Sequence, residues 1–209
     1  MNTINPYKDP STVILGNGEY PQAALPLEVL DKAHSVIICD GAANNYVPTG
    51  KPFDIIIGDG DSIADDIRRQ YASRIIISSC QETNDQTKAV KYLAEKGIND
   101  IAIVGATGKR DDHSLGNISL LIEYFSQGIM ARIYTDHGIF IPTRGNTTLI
   151  TRPGQQISIF NFGCTQLSAQ GLQYPIRPFN SWWQGTLNEA TADRCIITAD
   201  GTFLIYVAY

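Results

Sequence analysis

The chain has 209 residues, of which 43% are hydrophobic and 18% charged, so it carries enough apolar material for a packed core and does not read as disordered. Lys+Arg is 16 and Asp+Glu is 21, a net charge of -5 that argues against a duplex DNA or RNA partner, because phosphate-backbone binding requires a basic surface. Small phosphorylated ligands stay open, since they need only a few local cations or a metal. No apolar run approaches the roughly 18 residues of a membrane span, so no membrane partner is expected.

Apolar runs rich in Val and Ile at 12–16, 35–40, 53–58, 74–79, 101–105 and 131–135 predict buried strands. Helical patterns at 22–32, 42–47, 64–71, 85–96 and 112–127 lie between them, and Gly97 and Gly128 stand where helix C-caps belong. This alternation predicts a mainly parallel, three-layer α/β domain over residues 1–136. From residue 137 the helical periodicity stops. Short β-type runs at 138–142, 147–151, 157–162, 166–169, 194–198 and 203–209, separated by Gly, Pro, Asn and Asp, predict an all-β sandwich over 137–209. About 70 residues is marginal for an independent domain, so this part is expected to lean on the first or on another subunit.

Residues 1–10 are polar and show no secretory apolar segment. Cys39, Cys80, Cys164 and Cys195 lie far apart with no C-x-x-C pair, which reads as idle thiols in a reducing cytoplasm rather than a zinc or disulfide framework.

Ligands of an open parallel sheet bind beyond the carboxyl ends of its strands. The strand ends here carry Asp40-Gly41-Ala42, Gly58-Asp59-Gly60-Asp61-Ser62, Gln81 through Lys88, and Gly105 through His113. Asp59-Gly60-Asp61 puts two carboxylates on a glycine turn, and with Asp40 and Asp85 it forms a rim of hard oxygen ligands suited to Mg²⁺. Four carboxylates crowded together would repel unless a divalent cation held them. A solvated turn is the plain alternative for the short motif alone.

Gly105-Ala106-Thr107-Gly108 before a helix suits a phosphate, which backbone N–H groups and a helix N-terminus attract. It is no Walker A loop, since Arg110 stands in place of Ser or Thr. Gly16-Asn17-Gly18 lacks the third glycine of a dinucleotide fingerprint (Pro21 stands there), so it reads as a structural turn. Lys88 and Arg110 are the cations best placed for phosphate oxygens. His113 is either a structural residue or a phosphate or proton partner. No G-x-S-x-G elbow supports covalent hydrolysis.

Taken in order, these blocks resemble the thiamine pyrophosphokinase (thiamine diphosphokinase) family. The matching stretches are Asp40-Gly41-Ala42, residues 54–62, residues 84–89, residues 105–113 and Gly171-Leu172-Gln173-Tyr174-Pro175. The resemblance implies a Mg²⁺-dependent enzyme that moves a diphosphate from ATP to the hydroxyl of thiamine and releases AMP, acting as a homodimer with sites between subunits. It implies Mg²⁺ and triphosphate near Asp40, Asp59, Asp61 and Asp85. ATP would meet Asp40, Gly41, Ser62, Lys88, Gly105, Thr107, Gly108, Arg110, Asp112 and His113. Thiamine would meet Gln81, Asp85, Tyr174 and Asn188. Asp59, Asp61, Asp85 and Arg110 are the implied catalytic set, with Asp85 or Asp61 as proton acceptor. Leu187 departs from the family's usual Ser beside Asn188, which keeps another hydroxymethyl heterocycle, such as a pterin, as an alternative acceptor. Trp182 and Trp183 nearby read as packing or as an altered acceptor wall. A nucleotide sensor without catalysis and a sugar transferase using Asp59 and Asp61 are the other classes considered.

Overall fold

The computed structural model describes residues 2–8, 10–80 and 82–209. They divide into two units, one of residues 10–136 and one of residues 2–8 with His137–Tyr209.

In the first unit, Thr12–Leu15 (β2), Ser35–Cys39 (β3), Ile55–Gly58 (β4), Ile75–Ile77 (β5), Asp100–Val104 (β6) and Met130–Tyr134 (β7) pair in parallel. Their spatial order is β7-β6-β2-β3-β4-β5. All six expected strands form. Val13, Ile14, Leu15, Ile37, Ile38, Ile56, Ile101 and Ile103 are buried, as a parallel sheet covered on both faces requires. Ile77, at the β5 edge, is 59% exposed.

The helices are Ala24–Asp31 (α1), Ala43–Tyr46 (α2), Asp65–Gln70 (α3), Asp85–Glu95 (α4) and Asp111–Ser126 (α5). Against the sheet, α4 packs on β3 and β4, α1 on β6 and α5 on β7. The single helix expected over 42–47 is instead a 3₁₀ turn (Asp40–Ala42), α2, and a second 3₁₀ turn (Val47–Thr49). Pro48 has no N–H to continue an α-helical ladder, and Gly50 ends the turn at φ 71°. Helix α1 has no side-chain cap of its own. Asp136 instead fixes the chain just before the helix, accepting the Gln22 and Ala23 N–H groups at 2.9 and 3.0 Å.

The second unit contains two four-stranded sheets. Gly138–Arg144 (β8), Gln156–Phe162 (β10), Asn188–Glu189 (β12) and Thr202–Ala208 (β14) run in the order β12-β10-β14-β8. Asn2–Ile4 (β1), Thr147–Ile150 (β9), Leu167–Gln170 (β11) and Arg194–Ala199 (β13) run in the order β1-β9-β13-β11. Strand β13 alternates, with Cys195, Ile197 and Ala199 buried and Arg194, Ile196 and Thr198 outward. Ile141, Ile159, Phe203 and Ile205 bring the facing apolar side chains of the other sheet.

The first domain expected from residue 1 differs from the structure at its start. Strand β1 pairs in parallel with β9, and Gln155 Nε2 donates to the Tyr7 hydroxyl at 2.7 Å, so residues 2–8 belong with the second unit. Three residues are too short to carry a strand pattern in sequence. The two-residue β12 escapes for the same reason.

Candidate active site

Chain order in the parallel sheet reverses between β2 and β6, because β3, β4 and β5 extend to one side of β2 while β6 and β7 lie on the other. The crevice beyond such a reversal is where open α/β sheets bind ligands. Here the loops after the two strands are laced together. Gly16 N–H donates to Val104 O at 2.8 Å, Gly18 N–H to Gly105 O at 2.7 Å, and Glu19 N–H to Thr107 O at 2.7 Å. A Cβ at Gly16 would stand 2.7 Å from Gly105 O, so only glycine permits the crossing. Gly16-Asn17-Gly18 is thus a structural turn, and it also lines a cavity of about 750 Å³ at this rim.

One side of the rim is acidic. Asp40 directly follows β3, is only 2% exposed, and has φ 35°. Its Oδ1 accepts the Gly60 N–H at 2.9 Å and its Oδ2 accepts the Ser62 N–H at 3.1 Å. The carboxylate therefore clamps the turn that carries Asp59 and Asp61. Gly58 must be glycine beside it, since a Cβ there would lie 2.6 Å from Asp40 Cβ. Asp61 N–H donates to Asp59 Oδ1 at 3.3 Å, and Ser62 Oγ donates to Asp61 Oδ1 at 2.9 Å. One carboxylate oxygen from each of Asp40, Asp59 and Asp61 lies within 4.8 Å of the other two. Burial raises the Asp40 pKa against the opposing Ser62 N–H bond, and the charges of Asp85 and Asp59 raise it further. Asp59 is held below the usual carboxylate range, first by the Asp61 N–H and also by the Lys88 charge. An all-oxygen set with one buried and two more accessible carboxylates fits a hard cation that keeps water and phosphate ligands, as Mg²⁺ does.

Helix α4 supplies the middle of the site. Asn84 is its N-cap, with Oδ1 accepting the Thr87 N–H at 2.9 Å. The first turn then presents Asp85 and Lys88, whose Nζ donates to Asp85 Oδ1 at 2.9 Å. Lys88 is buried, with a side chain 7% exposed, yet it lines the cavity. Burial by itself would lower its pKa; the Asp85 bond and the charges of Asp85 and Asp59 leave it raised, so the ammonium is retained. Asp85 stands outside the group formed by Asp40, Asp59 and Asp61.

The third side is the loop into α5. Thr107, Lys109, Arg110 and His113 line the cavity, and Gly105 and Gly108 turn the chain at φ 64° and 102°. Arg110 is bound in a fork by Asp112, from Nε to Oδ1 at 3.1 Å and from Nη2 to Oδ2 at 2.6 Å. Both side chains are solvent-exposed, so a phosphate can exchange with this carboxylate. The pair holds the Asp112 carboxyl below its ordinary range and the guanidinium above.

The structure therefore gathers Asp59, Asp85, Lys88, Thr107, Arg110 and His113 around one cavity. Asp40 and Ser62 stand behind as supports of the acidic turn. Gly41 packs under the rim, where a Cβ would meet Asn17 Nδ2 at 2.7 Å. Gln81 lies outside the described residues. Asn188 and Tyr174 belong to the second unit. There buried Asn188 accepts the Tyr174 N–H at 3.0 Å and donates to Tyr174 O at 2.8 Å, and Tyr174 itself is 59% exposed. Leu187 has φ 60° and is 80% exposed. Trp182 packs on Phe160 and Phe162, with ring centroids 6.0 and 5.3 Å away, yet is itself exposed, and Trp183 is more so.

Sequence reasoning missed Asn17, Asn84 and Asn117 in the cavity wall. Asn84 had a legible signal, an Asn three residues before a helical Thr. Asn117, a polar residue within a helix, had none.

Residues 27–133 match the family model described as thiamin pyrophosphokinase, catalytic domain, and residues 138–206 match that of the thiamin pyrophosphokinase substrate-binding domain. Thiamine pyrophosphokinase 1 of Oryza sativa subsp. japonica is 30% identical over 154 residues, covering 62% of this chain and 57% of that protein. Thiamine pyrophosphokinase 2 of Arabidopsis thaliana is 31% identical over 113 residues, 42% of each. The match thus spans about half the length of these curated relatives. Among solved structures, thiamine pyrophosphokinase from Bacillus subtilis superposes with a TM-score of 0.79 at 21% identity, covering 94% of this chain and 98% of that one. The enzyme from Candida albicans gives 0.79 at 18% identity, covering 99% and 92%. At these identities the likeness is one of fold. The two family models, consecutive and matching the division into an α/β and an all-β unit, carry the assignment: the chain belongs to the thiamin pyrophosphokinase family.

Proposed function

We propose that this protein transfers the diphosphate of ATP to the hydroxyl of thiamine, releasing AMP. The observation that carries the reading is one cavity, at the sheet's reversal point, that joins an acidic rim to a retained buried ammonium and an exposed, exchangeable guanidinium. Asp40, Asp59 and Asp61 would hold Mg²⁺, which when bound neutralises phosphate charge. Lys88 and Arg110 bind the remaining phosphate oxygens, Lys88 as a fixed point charge and Arg110 as a fork that leaves Asp112 for the ligand. Backbone N–H groups of the loop into α5, with Thr107, seat the anion. Asp85 accepts the proton of the attacking hydroxyl. Of the four rim aspartates it is the one outside the acidic group, and Lys88 fixes its orientation.

Tyr174 and Asn188 would serve thiamine, the first as a stacking surface and the second as the brace that sets it. The exposed aromatic surface of Tyr174 and Trp183 supports action as a homodimer, and the four unpaired thiols support a cytoplasmic setting. Leu187, large and outward where the family has Ser, favours one second reading, a different hydroxymethyl heterocycle as acceptor.

The test is one reaction of protein, ATP, Mg²⁺ and thiamine, with AMP and thiamine diphosphate both quantified. Equal yields establish the activity. AMP formed with another heterocycle and not with thiamine moves the protein to the second reading. No AMP with any acceptor overturns the proposal.

A further inference from the structure

We infer that Asn117 is a positioning residue that locks the phosphate-binding loop to the first turn of α4, and so sets the spacing between the two halves of the site. Three bonds define the link. Asn117 Nδ2 donates to Ala106 O at 2.7 Å, inside the loop that carries Thr107, Lys109 and Arg110. Its Oδ1 accepts from Asn84 Nδ2 at 2.8 Å. Its backbone carbonyl accepts from Gln86 Nε2 at 3.3 Å. Asn84 in turn caps α4 through the Thr87 N–H, one residue from Asp85 and Lys88. A single amide in α5 therefore spans the gap between Arg110 on one element and Asp85 and Lys88 on another.

The chemistry of the amide explains the residue type. The position needs a donor toward Ala106 O and an acceptor toward Asn84 Nδ2 from one short, planar side chain. Asp would face the Ala106 carbonyl with an oxygen, and Ala would leave both partners unmade. Gln86 is itself buried, so its amide holds a fixed third strut. Asn117 lines the cavity wall but is assigned no contact with reacting atoms. Its effect on rate runs through the separation of Arg110 from Asp85 and Lys88, and a misplacement of about 1 Å between groups meeting one triphosphate can cost about 10²-fold.

This inference rests on the proposed diphosphotransfer, and the test separates the two. Asn117→Ala, Asn84→Ser and the double variant are compared with the wild type. Serine remains a good N-cap for α4 but is too short to reach Asn117, so it keeps the cap and removes the link. Each single variant is expected to lower kcat/KM for ATP by about 10-fold or more, and the double variant to fall no further than the worse single one. Hydrogen exchange of the peptide covering residues 105–112 is expected to quicken in Asn84→Ser, although that residue is distant in sequence. Wild-type kinetics in Asn84→Ser, multiplicative losses in the double variant, or unchanged exchange at 105–112 would each overturn the link. If the wild type forms no AMP with any acceptor while exchange at 105–112 still responds to Asn84→Ser, the functional reading fails and the link stands.

Discussion

Replacing Asp40 by Asn tests whether one buried carboxylate organises the acidic rim. In the native turn the two carboxylate oxygens each accept a backbone N–H, from Gly60 at 2.9 Å and Ser62 at 3.1 Å. An amide keeps one acceptor and turns an NH₂ toward the other N–H. One donor is then stranded in a buried place, at a cost of about 1–3 kcal/mol. Asn tolerates the positive φ of 35° at this position, so the backbone adds little. Ala strands both donors and also meets the left-handed penalty, which brings the expected loss to about 3–8 kcal/mol. Loss of one negative charge from the cluster relieves repulsion and trims both figures. The assay is urea unfolding without metal, paired with AMP release at saturating Mg²⁺. Asn is expected to retain a cooperative transition at a lower midpoint and to lose about 10²-fold or more in turnover, because Asp59 and Asp61 are no longer held in register. An Asp40→Ala protein within about 1 kcal/mol of wild type would refute the clamp. Wild-type turnover in Asp40→Asn would refute its role in the rim.

Arg110→Ala is expected to lower turnover by about 10²-fold while the thermal midpoint stays put, since its pair with Asp112 is exposed; steady-state kinetics beside a melting curve would show it, and unchanged turnover removes Arg110 from the chemistry. Gly16→Ala should lower the melting temperature and abolish ATP binding together, because its Cβ would stand 2.7 Å from the Gly105 carbonyl oxygen; calorimetric ATP binding at wild-type affinity counts against the laced-loop account. Alkaline stability has a definite sign. Burial pushes the Tyr124 hydroxyl up to about 12, and Lys88 is raised as well. The folded protein holds these protons where the unfolded chain has released them, so their contributions are complete below about pH 10 and lost as pH climbs toward 12. Urea midpoints should fall over that interval, and a flat profile would contradict the assignment.

The periodicity of Val and Ile was enough to predict six strands, because a parallel sheet buries both faces and leaves a run that local sequence shows directly, although β5 at the sheet edge is only half-buried. The change of texture near residue 137 was legible for the same reason, as 3.6-residue periodicity gave way to alternation. Strand β1 was not legible, since three residues carry no period and their partner β9 lies far along the chain. At the site, the residue types of Asp59, Asp61, Asp85, Lys88 and Arg110 were visible at strand ends, and the order of the blocks suggested the family.

What the sequence could not contain was the division of labour among them. Four equivalent aspartates became a buried clamp, one half-buried and one exposed acid beside it, and a fourth paired to a buried lysine. Asn117 became a bridge only because α5 passes the N-terminus of α4 within hydrogen-bonding reach. Local composition determined which chemistry could be present and on which elements, because side-chain period follows backbone geometry. The tertiary structure alone decided distances, burial and partners, because those depend on segments tens of residues apart meeting at one rim of the sheet.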